Sequence, residues 1–540
     1  MMNMSPGRMP STNTSSHFTQ VPKADIPRSS FDRSHGIKTA FDAGDLIPIF
    51  VDEVLPGDTF NLNATLFGRL ATPIKPIMDN LYLDTFFFFV PNRLIWANFK
   101  KFMGEQANPA DSTSYLVPTM QSPADGPAVG SLADYFGIPT VGQVAAGKKL
   151  TFNSLHFRAY ALCWNEWFRD ENLQNSVVVD TDDGPDTYTD YSILKRGKRK
   201  DYFTGALPFT QKGTAVSLPL SGSAPVLGIG KYDTTFSGSI SGVYESDGTT
   251  SNYSNAQDIG GTSATQFFVE RQQISGVNYP NIRADLSLAT ASTINALRQA
   301  FQIQKLLERD ARGGTRYTEL VRSHFGVVSP DARLQRPELL ATHSSPINVA
   351  PIPQTSVTGT TPQGNLAAMG TTVAKGGFSK SFTEHGVIIG LASVRADLNY
   401  QQGLHRMWSR QTRYDFYWPA LSHLGEQAIL NKEIYATDDT APQDSAVFGY
   451  QERYAEYRYK PSVITGKLRS TAAGTLDIWH ATQNFSSLPA LNSTFIQEDP
   501  PIDRIIAVPS EPHVLLDGFF NLKCARPMPT YSVPGLVDHF

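Results

Sequence analysis

The chain has 540 residues, of which 40% are hydrophobic and 11% aromatic, so it can bury a large core. Only 18% of its residues are charged and its net charge is −4, which argues against a dedicated nucleic-acid-binding protein. Cys163 and Cys524 are its two cysteines, so a disulfide framework is excluded and a reducing compartment is favoured.

Residues 1–40 predict an irregular N-terminal arm. The arm has no periodic apolar pattern, and its five Lys and Arg residues against two Asp give a net charge of +3. It is either a disordered tail or an arm laid along an acidic partner such as nucleic acid, with Arg28 and Arg33 as candidate contacts. Its start lacks the apolar core of a signal peptide, and the longest apolar run, Phe86–Val90, is too short to span a bilayer. Secretion and membrane insertion are therefore not expected.

Three strands are predicted after the arm. The continuous apolar run Leu46–Val51 indicates a strand buried on both faces, whereas the strict alternation over Phe60–Leu66 indicates a half-buried strand. The aromatic run Leu81–Val90 is typical of a further strand, and Pro91 ends it.

Helical spacing predicts three helices. The first begins at Asn92 and places apolar residues through Met103 on one face; the second covers Ser154–Gln174. The third covers Ser292–Arg312 and is stopped by the glycine pair that follows. The aromatic residues of the second helix share one stripe, which predicts a core-facing side: Phe157, Tyr160, Trp164, Trp167 and Phe168.

An exposed insertion loop is predicted over residues 212–280. Gly, Ser and Thr make up roughly half of residues 219–265, and Lys231 is the one basic residue there. Such a stretch cannot bury enough apolar surface to offset the entropy lost on ordering, so it should project from the packed body as a display or recognition loop.

Strand-like runs return towards the C-terminus. They are Val387–Leu391, Leu476–Trp479, Ile505–Val508 and Val514–Leu522. The proline-rich segment Cys524–Phe540 predicts an extended strap. Strands near both ends with helices and loops between them do not match a βαβ alternation, and they fit one antiparallel sandwich with long connections.

The densest charge feature is a basic run of five cations in six residues: Lys195, Arg196, Lys198, Arg199 and Lys200. Tyr202 and Phe203 follow the run and could stack on bases, so it is a candidate nucleic-acid contact. A solvated loop, or pairing with the aspartates upstream, explains the run equally well.

Two segments mix arginine, tyrosine and acidic residues, a composition that suits contacts between subunits as well as salt bridges within the chain. The candidate interface residues are Arg312, Arg316, Tyr317, Arg453, Tyr454, Tyr457 and Arg458.

No zinc-protease, thiol-redox or hydrolase motif occurs, so neither catalytic residues nor a cofactor is predicted. The aspartates of residues 180–186 could hold calcium, but a solvated turn explains them better. Two alternatives to a structural role stay open: a metal-dependent hydrolase that uses this loop, and a secreted carbohydrate-binding sandwich.

Several long strings resemble the major capsid protein of gokushovirus-type microviruses. They lie at residues 79–93, 303–318, 329–338, 413–421, 447–461 and 521–527. The matches run from about residue 30 to the C-terminus, and the insertion is the part that matches least.

The resemblance implies a mainly β fold, an eight-stranded antiparallel jelly-roll sandwich with large helical and loop insertions. One such domain over residues 41–540 would follow an interior arm over residues 1–40. Pentamers would assemble into a T=1 icosahedral shell around circular single-stranded DNA, inside a virion made in the cytoplasm of a bacterial host.

The resemblance also implies partners: copies of the chain itself, single-stranded DNA, a small basic DNA-packaging protein, an internal scaffolding protein and a host surface receptor. The insertion would form protrusions at the threefold axes and attach to the host. The function expected from the sequence is therefore that of a capsid protein without catalysis.

Overall fold

The structure is a computed structural model, and it describes residues 27–216, 226–227, 229–231, 239–240, 267–274, 277–280, 283–284, 294–314, 316–327, 335–360, 362–438 and 442–531. The described residues form two compact units. Those within 1–210 and 329–540 form the sheet unit, and those within 211–328 form the inserted unit.

A ten-stranded antiparallel sheet dominates the sheet unit. Its strands are β1 (Ser29–Asp32), β2 (His35–Phe41), β3 (Asp45–Val54), β4 (Thr59–Leu70), β5 (Leu81–Pro91), β8 (Leu194–Lys195), β15 (Glu338–Pro353), β16 (Leu366–Ser381), β17 (Gly386–Ala396) and β22 (Val514–Arg526). Their spatial order is β1-β22-β4-β16-β15-β5-β17-β3-β8, and β2 also pairs with β22. The mainly β, antiparallel class expected from the sequence is confirmed.

The long strand β15 joins two halves of this sheet. Residues 338–347 pair with β5, and residues 348–353 pair with β16. Apolar residues from both halves meet in one core. In that core, Phe50 lies 5.2 Å from Phe520 and 6.3 Å from Phe87 between ring centroids, although these residues come from three strands distant in sequence. The arrangement is a sandwich whose two layers share one strand.

The two kinds of strand pattern in the sequence match two kinds of burial. Every residue of β17 is buried, because its even and odd side chains enter different cores. In β4 and β22, buried and exposed residues alternate, so one face of these strands contacts solvent. The sequence predictions for Leu46–Val51, Phe60–Leu66, Leu81–Val90, Val387–Leu391 and Val514–Leu522 are confirmed within longer strands.

A second core covers the outer face of the β5, β17 and β3 half. Helix Leu155–Trp167 supplies the cover through Phe157, Tyr160 and Trp164, which are buried against residues such as Ile389. The aromatic stripe is thus core-facing as predicted, although Trp167 at its end remains 37% exposed. The helix ends seven residues before the predicted Gln174.

The structure corrects the prediction of an irregular arm. Residues 29–32 and 35–41 are strands β1 and β2, and both pair with β22 at the edge of the sheet. Backbone groups supply that pairing, so an edge strand can form without the apolar alternation that the sequence lacks here. Residues 1–26 lie outside the described part of the chain.

Two predicted strands are wrong, at Leu476–Trp479 and Ile505–Val508. The first contains the 3₁₀ turn Asp477–Trp479, and the second follows the 3₁₀ turn Ile502–Arg504. The Arg504 guanidinium donates to the carbonyl oxygens of His480 at 2.8 Å and Thr482 at 2.6 Å. Residues 505–508 form one isolated bridge, between Ile506 and Pro73, in which the Ala507 N–H donates to the Thr72 carbonyl oxygen at 2.9 Å, and they do not continue as a strand.

Short elements fill the connections. The remaining helices of the sheet unit are Asn92–Ile95, Phe99–Phe102, Leu132–Tyr135, Asn431–Ile434, Pro442–Ser445 and Ser493–Ile496. Its other 3₁₀ turns are Tyr188–Asp190, Arg406–Trp408, Arg413–Asp415, Pro419–Leu421, Ala455–Tyr457 and Gly466–Leu468. Two-stranded ladders form between β6 (Thr119–Gln121) and β7 (Thr151–Asn153), between β18 (Asn399–Tyr400) and β21 (Ser462–Val463), and between β19 (Glu426–Leu430) and β20 (Val447–Glu452). The single helix predicted from Asn92 is therefore two separate turns.

The inserted unit combines short strands with two helices. Its described strands are β9 (Val226–Leu227), β10 (Ile229–Lys231), β11 (Ser239–Ile240), β12 (Phe267–Ile274), β13 (Val277–Pro280) and β14 (Arg283–Ala284). Its helices are Ile294–Gly313 and Tyr317–Phe325, and the first of them confirms the helix predicted over Ser292–Arg312. Most of the insertion predicted at residues 212–280 lies outside the described residues.

Candidate nucleic-acid and subunit interfaces

The basic run lies at the edge of the sheet and begins in β8, which pairs with β3. The Lys195 ammonium contacts Asp499 at 2.6 Å, and the Arg196 guanidinium contacts Asp84 at 2.5 Å. The Lys200 ammonium pairs with Asp170. Three of the five cations thus have carboxylate partners within the chain.

Lys198 is buried. Its ammonium donates to Gln483 Oε1 at 2.8 Å and to the carbonyl oxygen of Phe495 at 2.7 Å. Burial lowers the pKa of Lys198 to about 8. Tyr202 and Phe203, the candidate stacking residues, are 4% and 3% exposed and lie in a third core. The structure therefore contradicts base stacking by these two rings and direct DNA contact by Lys198.

The cations that stay accessible are fewer than the sequence predicts. Arg199 is exposed, and Lys200 keeps a 59% exposed side chain beside its partner. In the arm, exposed Arg28 donates to Thr59 Oγ1 at 2.5 Å, and Arg33 pairs with Asp52. The candidate nucleic-acid residues do not form one continuous patch of unpaired charge.

The half-buried Asp45, opposite Lys195 in the β3 and β8 ladder, gives a pH prediction. Burial raises the pKa of Asp45 to about 6, although the Lys195 charge partly opposes this shift. An unfolded Asp ionises near pH 3.9, so between about pH 4 and 6 the folded state holds the extra proton and stability falls as pH rises. We expect Asp45→Asn to raise the free energy of unfolding by about 1–2 kcal/mol at pH 7 and to have little effect near pH 4. Urea unfolding of both proteins at the two pH values would test this, and a gain of equal size at both would contradict it.

The candidate interface residues of the inserted unit surround the start of its second helix. The Arg316 guanidinium contacts Glu319 Oε1 at 3.1 Å, while the Tyr317 side chain is 81% exposed. Arg312 lies in the last turn of the helix before it. Tyr317 thus has the accessibility that an interface residue requires.

The sheet unit exposes a second group of aromatic residues on the 3₁₀ turns and loops of residues 406–424 and 457–459. We call this group the aromatic surface. Its members are Trp408, Tyr414, Phe416, Tyr417, Trp418, Tyr457 and Tyr459, all at least 40% exposed. An exposed apolar area of this extent is unusual on a monomer, and it marks a site of interaction.

Two arginine side chains pack against rings of the aromatic surface. The Arg410 guanidinium lies 4.2 Å from the Tyr457 ring centroid, and Arg413 lies 4.6 Å from that of Trp418. The candidate interface residues Tyr457 and Arg458 belong to this region and are about half exposed, and Arg458 pairs with Glu452. Aromatic and arginine residues together are the composition enriched where proteins bind one another.

Tyr454 departs from its predicted role, because it is only 3% exposed and cannot present its ring to another subunit. Its backbone adopts the left-handed conformation, with φ 63° and ψ 24°, and its N–H donates to Gln427 Oε1 at 3.0 Å. A side chain in this region is strained, and such strain persists where the surrounding structure enforces it.

Tyr454 lines a cleft of about 230 Å³, which we call the arginine pocket. Its lining residues are Arg406, Ser409, Arg410, Tyr414, Asp415, Gln427, Leu430, Lys432, Arg453 and Tyr454. Below it, the buried Glu433 contacts Arg406 at 3.3 Å and the buried Glu456 contacts Arg410 at 3.3 Å. Burial raises the pKa of Glu433, and the Arg406 charge opposes that shift.

Sequence reasoning missed Arg406, Arg410 and Arg413 as site residues. The signal was present, because residues 406–418 contain three arginines and five aromatic residues in 13 positions. The buried carboxylates Glu433 and Glu456 carry no such signal, since nothing in their local sequence marks them as partners of these arginines.

The aspartates of residues 180–186 form hydrogen bonds and ion pairs within the fold. Asp186 binds the buried Arg158, and Asp183 accepts hydrogen bonds from Trp96 Nε1 at 2.7 Å and from Asn98. Within the described ranges, no group of three His, Cys, Asp or Glu residues is placed to hold a metal ion. Among those same residues, no helix combines the length and apolar character needed to cross a membrane.

Comparisons with known proteins give one result along nearly the whole chain. The model of the capsid protein (F protein) family matches residues 19–536. The capsid protein VP1 of Bdellovibrio phage phiMH2K is 49% identical over 536 residues, which cover 97% of this chain and 98% of that protein. VP1 of Chlamydia phage 1 is 45% identical, covering 99% and 100%, and VP1 of Spiroplasma virus 4 is 38% identical, covering 95% and 96%.

Proposed function

This chain belongs to the capsid protein (F protein) family, and we propose from that premise that it builds a T=1 icosahedral shell of pentamers around circular single-stranded DNA. Membership confirms the resemblance found in the sequence and makes the chain a structural capsid protein, not an enzyme. Self-assembly into a shell and a place in the virion follow from the family. The T=1 geometry, the pentamers and the form of the genome belong to the proposal.

The aromatic surface is the observation on this chain that best supports assembly. Five large aromatic side chains of this surface leave apolar area that another copy can bury, namely Phe416, Tyr417, Trp418, Tyr457 and Tyr459. A closed shell requires different patches of one subunit to meet each other around symmetry axes. The exposed Tyr317 of the inserted unit and the aromatic surface of the sheet unit are two such patches.

DNA contact is proposed for the exposed members of the predicted set, above all Arg28, Arg199 and Lys200. The net charge of −4 leaves most of the phosphate charge to be neutralised by other components. We therefore include a small basic DNA-packaging protein among the partners, together with an internal scaffolding protein and a host surface receptor. Synthesis in the cytoplasm of a bacterial host is part of the same proposal.

Electron microscopy of the purified protein tests the proposed assembly. We expect closed particles of one size with icosahedral symmetry, and nuclease-protected DNA in particles purified from the host. A protein that stays monomeric at high concentration, with its aromatic surface in solvent, would contradict the proposal.

The insertion provides a separate prediction about attachment. Replacing residues 212–280 by a short Gly-Ser linker should leave the urea midpoint of the sheet unit unchanged, because residues 211–328 form a compact unit of their own. Particles of the variant should lose adsorption to host cells or the contacts at their threefold axes. Unfolding of the sheet unit in the variant would show instead that the insertion belongs to the core.

A further inference from the structure

We propose that the arginine pocket binds one phosphodiester group of single-stranded nucleic acid and that Tyr414 stacks on the neighbouring base. This inference rests on the proposed function, since it concerns how a shell protein would hold the genome that it encloses. It assigns a specific site to that contact, outside the basic run.

Hydrogen-bond donors without partners point to a ligand. Arg406 NH1, Arg410 Nε, Arg453 Nε and the Tyr454 hydroxyl are buried, and none of them has a hydrogen-bond partner among the described residues. Buried donors of this kind are rare in folded proteins because each loses its bonds to water. All four belong to residues that line one cleft, so a single ligand with several acceptor oxygens could satisfy them together.

The pocket lining contains more cationic than anionic side chains, which favours an anionic ligand. Four cations line it, namely Arg406, Arg410, Lys432 and Arg453. Three carboxylates oppose them: Asp415 in the lining, and Glu433 and Glu456 beneath the first two arginines. Arginine is also the side chain whose planar donors best fit phosphate oxygens.

Tyr414 extends the site beyond the phosphate. It lines the pocket and is 64% exposed, so its ring is accessible to a base. Trp408, 71% exposed, lies on the 3₁₀ turn that begins at Arg406. A positively charged groove beside exposed aromatic rings is how proteins bind single strands without sequence preference. The cleft volume of about 230 Å³ is far above the roughly 10–15 Å³ that a cavity needs to hold one water molecule, which leaves room for a phosphate group.

Tyr454 is held in the lining of this site by its backbone and by a neighbouring arginine. Its left-handed backbone is secured by the hydrogen bond from its N–H to Gln427, and Arg453 lies over its ring at 4.9 Å. Strained backbone of this kind recurs at ligand clamps. The other occupant that this chemistry admits is a carboxylate from a second copy of the chain, and the experiment below distinguishes it from the phosphodiester.

Substitution of Tyr454 by phenylalanine is the sharpest test, because it removes one hydroxyl that has no partner to lose. We would measure binding of a fluorescent twelve-nucleotide poly-dT strand to the full-length protein by anisotropy at fixed salt. Tyr454→Phe should weaken binding about fivefold to tenfold without lowering the unfolding temperature, and Arg453→Gln should weaken it at least tenfold. Inorganic phosphate should compete. Lys523→Gln, which removes an exposed cation of β22 outside the pocket, is the matched control and should bind as the wild type does.

Unchanged binding by Tyr454→Phe would overturn the inference, even if Arg453→Gln failed to fold. Pocket variants that bind poly-dT normally but fail to assemble into shells would also overturn the inference. That result would assign the pocket to a carboxylate of a neighbouring copy. These results are distinct from failure of the proposed function, which would appear as a wild-type protein that forms no shells.

Discussion

Replacing Arg158 by leucine should lower the free energy of unfolding by about 3–5 kcal/mol. The Arg158 side chain is fully buried and donates to both oxygens of Asp186, at 2.8 and 2.5 Å, and to the carbonyl oxygens of Ile95 and Asp182. Leucine would leave the Asp186 carboxylate buried, with only the Tyr191 hydroxyl donating to it from another side chain. A buried charge without its counterion is among the most destabilising changes known for a folded protein.

Urea unfolding of the purified protein measures this effect, and the double variant Arg158→Leu with Asp186→Leu is its control. Removing both charges eliminates the isolated carboxylate, so the double variant should regain at least half of the lost stability. A loss below about 1 kcal/mol in the single variant would show that solvent reaches Asp186 and that the pair contributes as weakly as one on the surface.

Replacing Asp84 by alanine should cost about 3 kcal/mol or more, because Asp84 binds two guanidinium groups at once. Arg395 Nε lies 2.8 Å and Arg196 NH1 2.5 Å from the same oxygen, and the Arg395 side chain is 2% exposed. The variant would leave Arg395 with a longer ion pair, to Asp397 at 3.6 Å, and with its contact over the Tyr82 ring at 4.2 Å. This result would show that the pairing of Asp84 with Arg395 and Arg196 stabilises the fold.

The effect of Asp84→Ala should depend on pH. Burial opposes ionisation of Asp84, but the Ser344 hydroxyl and the two guanidinium groups outweigh it and lower its pKa. Its contribution to stability is therefore complete above the unfolded pKa of about 3.9 and is lost as pH falls through the lower folded pKa. Urea midpoints of wild type and variant should converge towards acid pH. Arg199→Ser, which removes an exposed cation of the same run, should leave the midpoint unchanged at every pH.

The long strands could be predicted because the local order of apolar and polar residues determines which of their faces are buried. The alternation of β4 and the continuous apolar run of β17 each specify which faces are covered. The strands β1 and β2 could not be predicted in this way. They depend on the free edge of β22, which lies almost 500 residues further along the chain.

The basic run shows that a binding site, like the strands β1 and β2, cannot be predicted from local sequence when its residues contact distant ones. Its carboxylate partners Asp84, Asp170 and Asp499 lie 112, 30 and 304 residues away from the cations that they bind. A cluster of cations in the sequence therefore does not show whether those cations pair with carboxylates of the same chain or remain free to bind DNA. The arginine pocket depends equally on distant residues, because Glu433 and Glu456 approach Arg406 and Arg410 only in the folded chain.

The central position of β22 has a consequence for biosynthesis. This strand lies between β2 and β4, and His513 just before it accepts the Ala43 N–H at 3.0 Å, across 470 residues of chain. At about 5–20 residues per second, a ribosome needs on the order of half a minute to a minute and a half to cover that interval. Throughout that time the edges of β2 and β4 that face β22 have no partner strand. A nascent chain cannot complete its sheet before β22 has been synthesised, so polypeptides that lack this strand should not enter particle assembly and are left to chaperones and proteases.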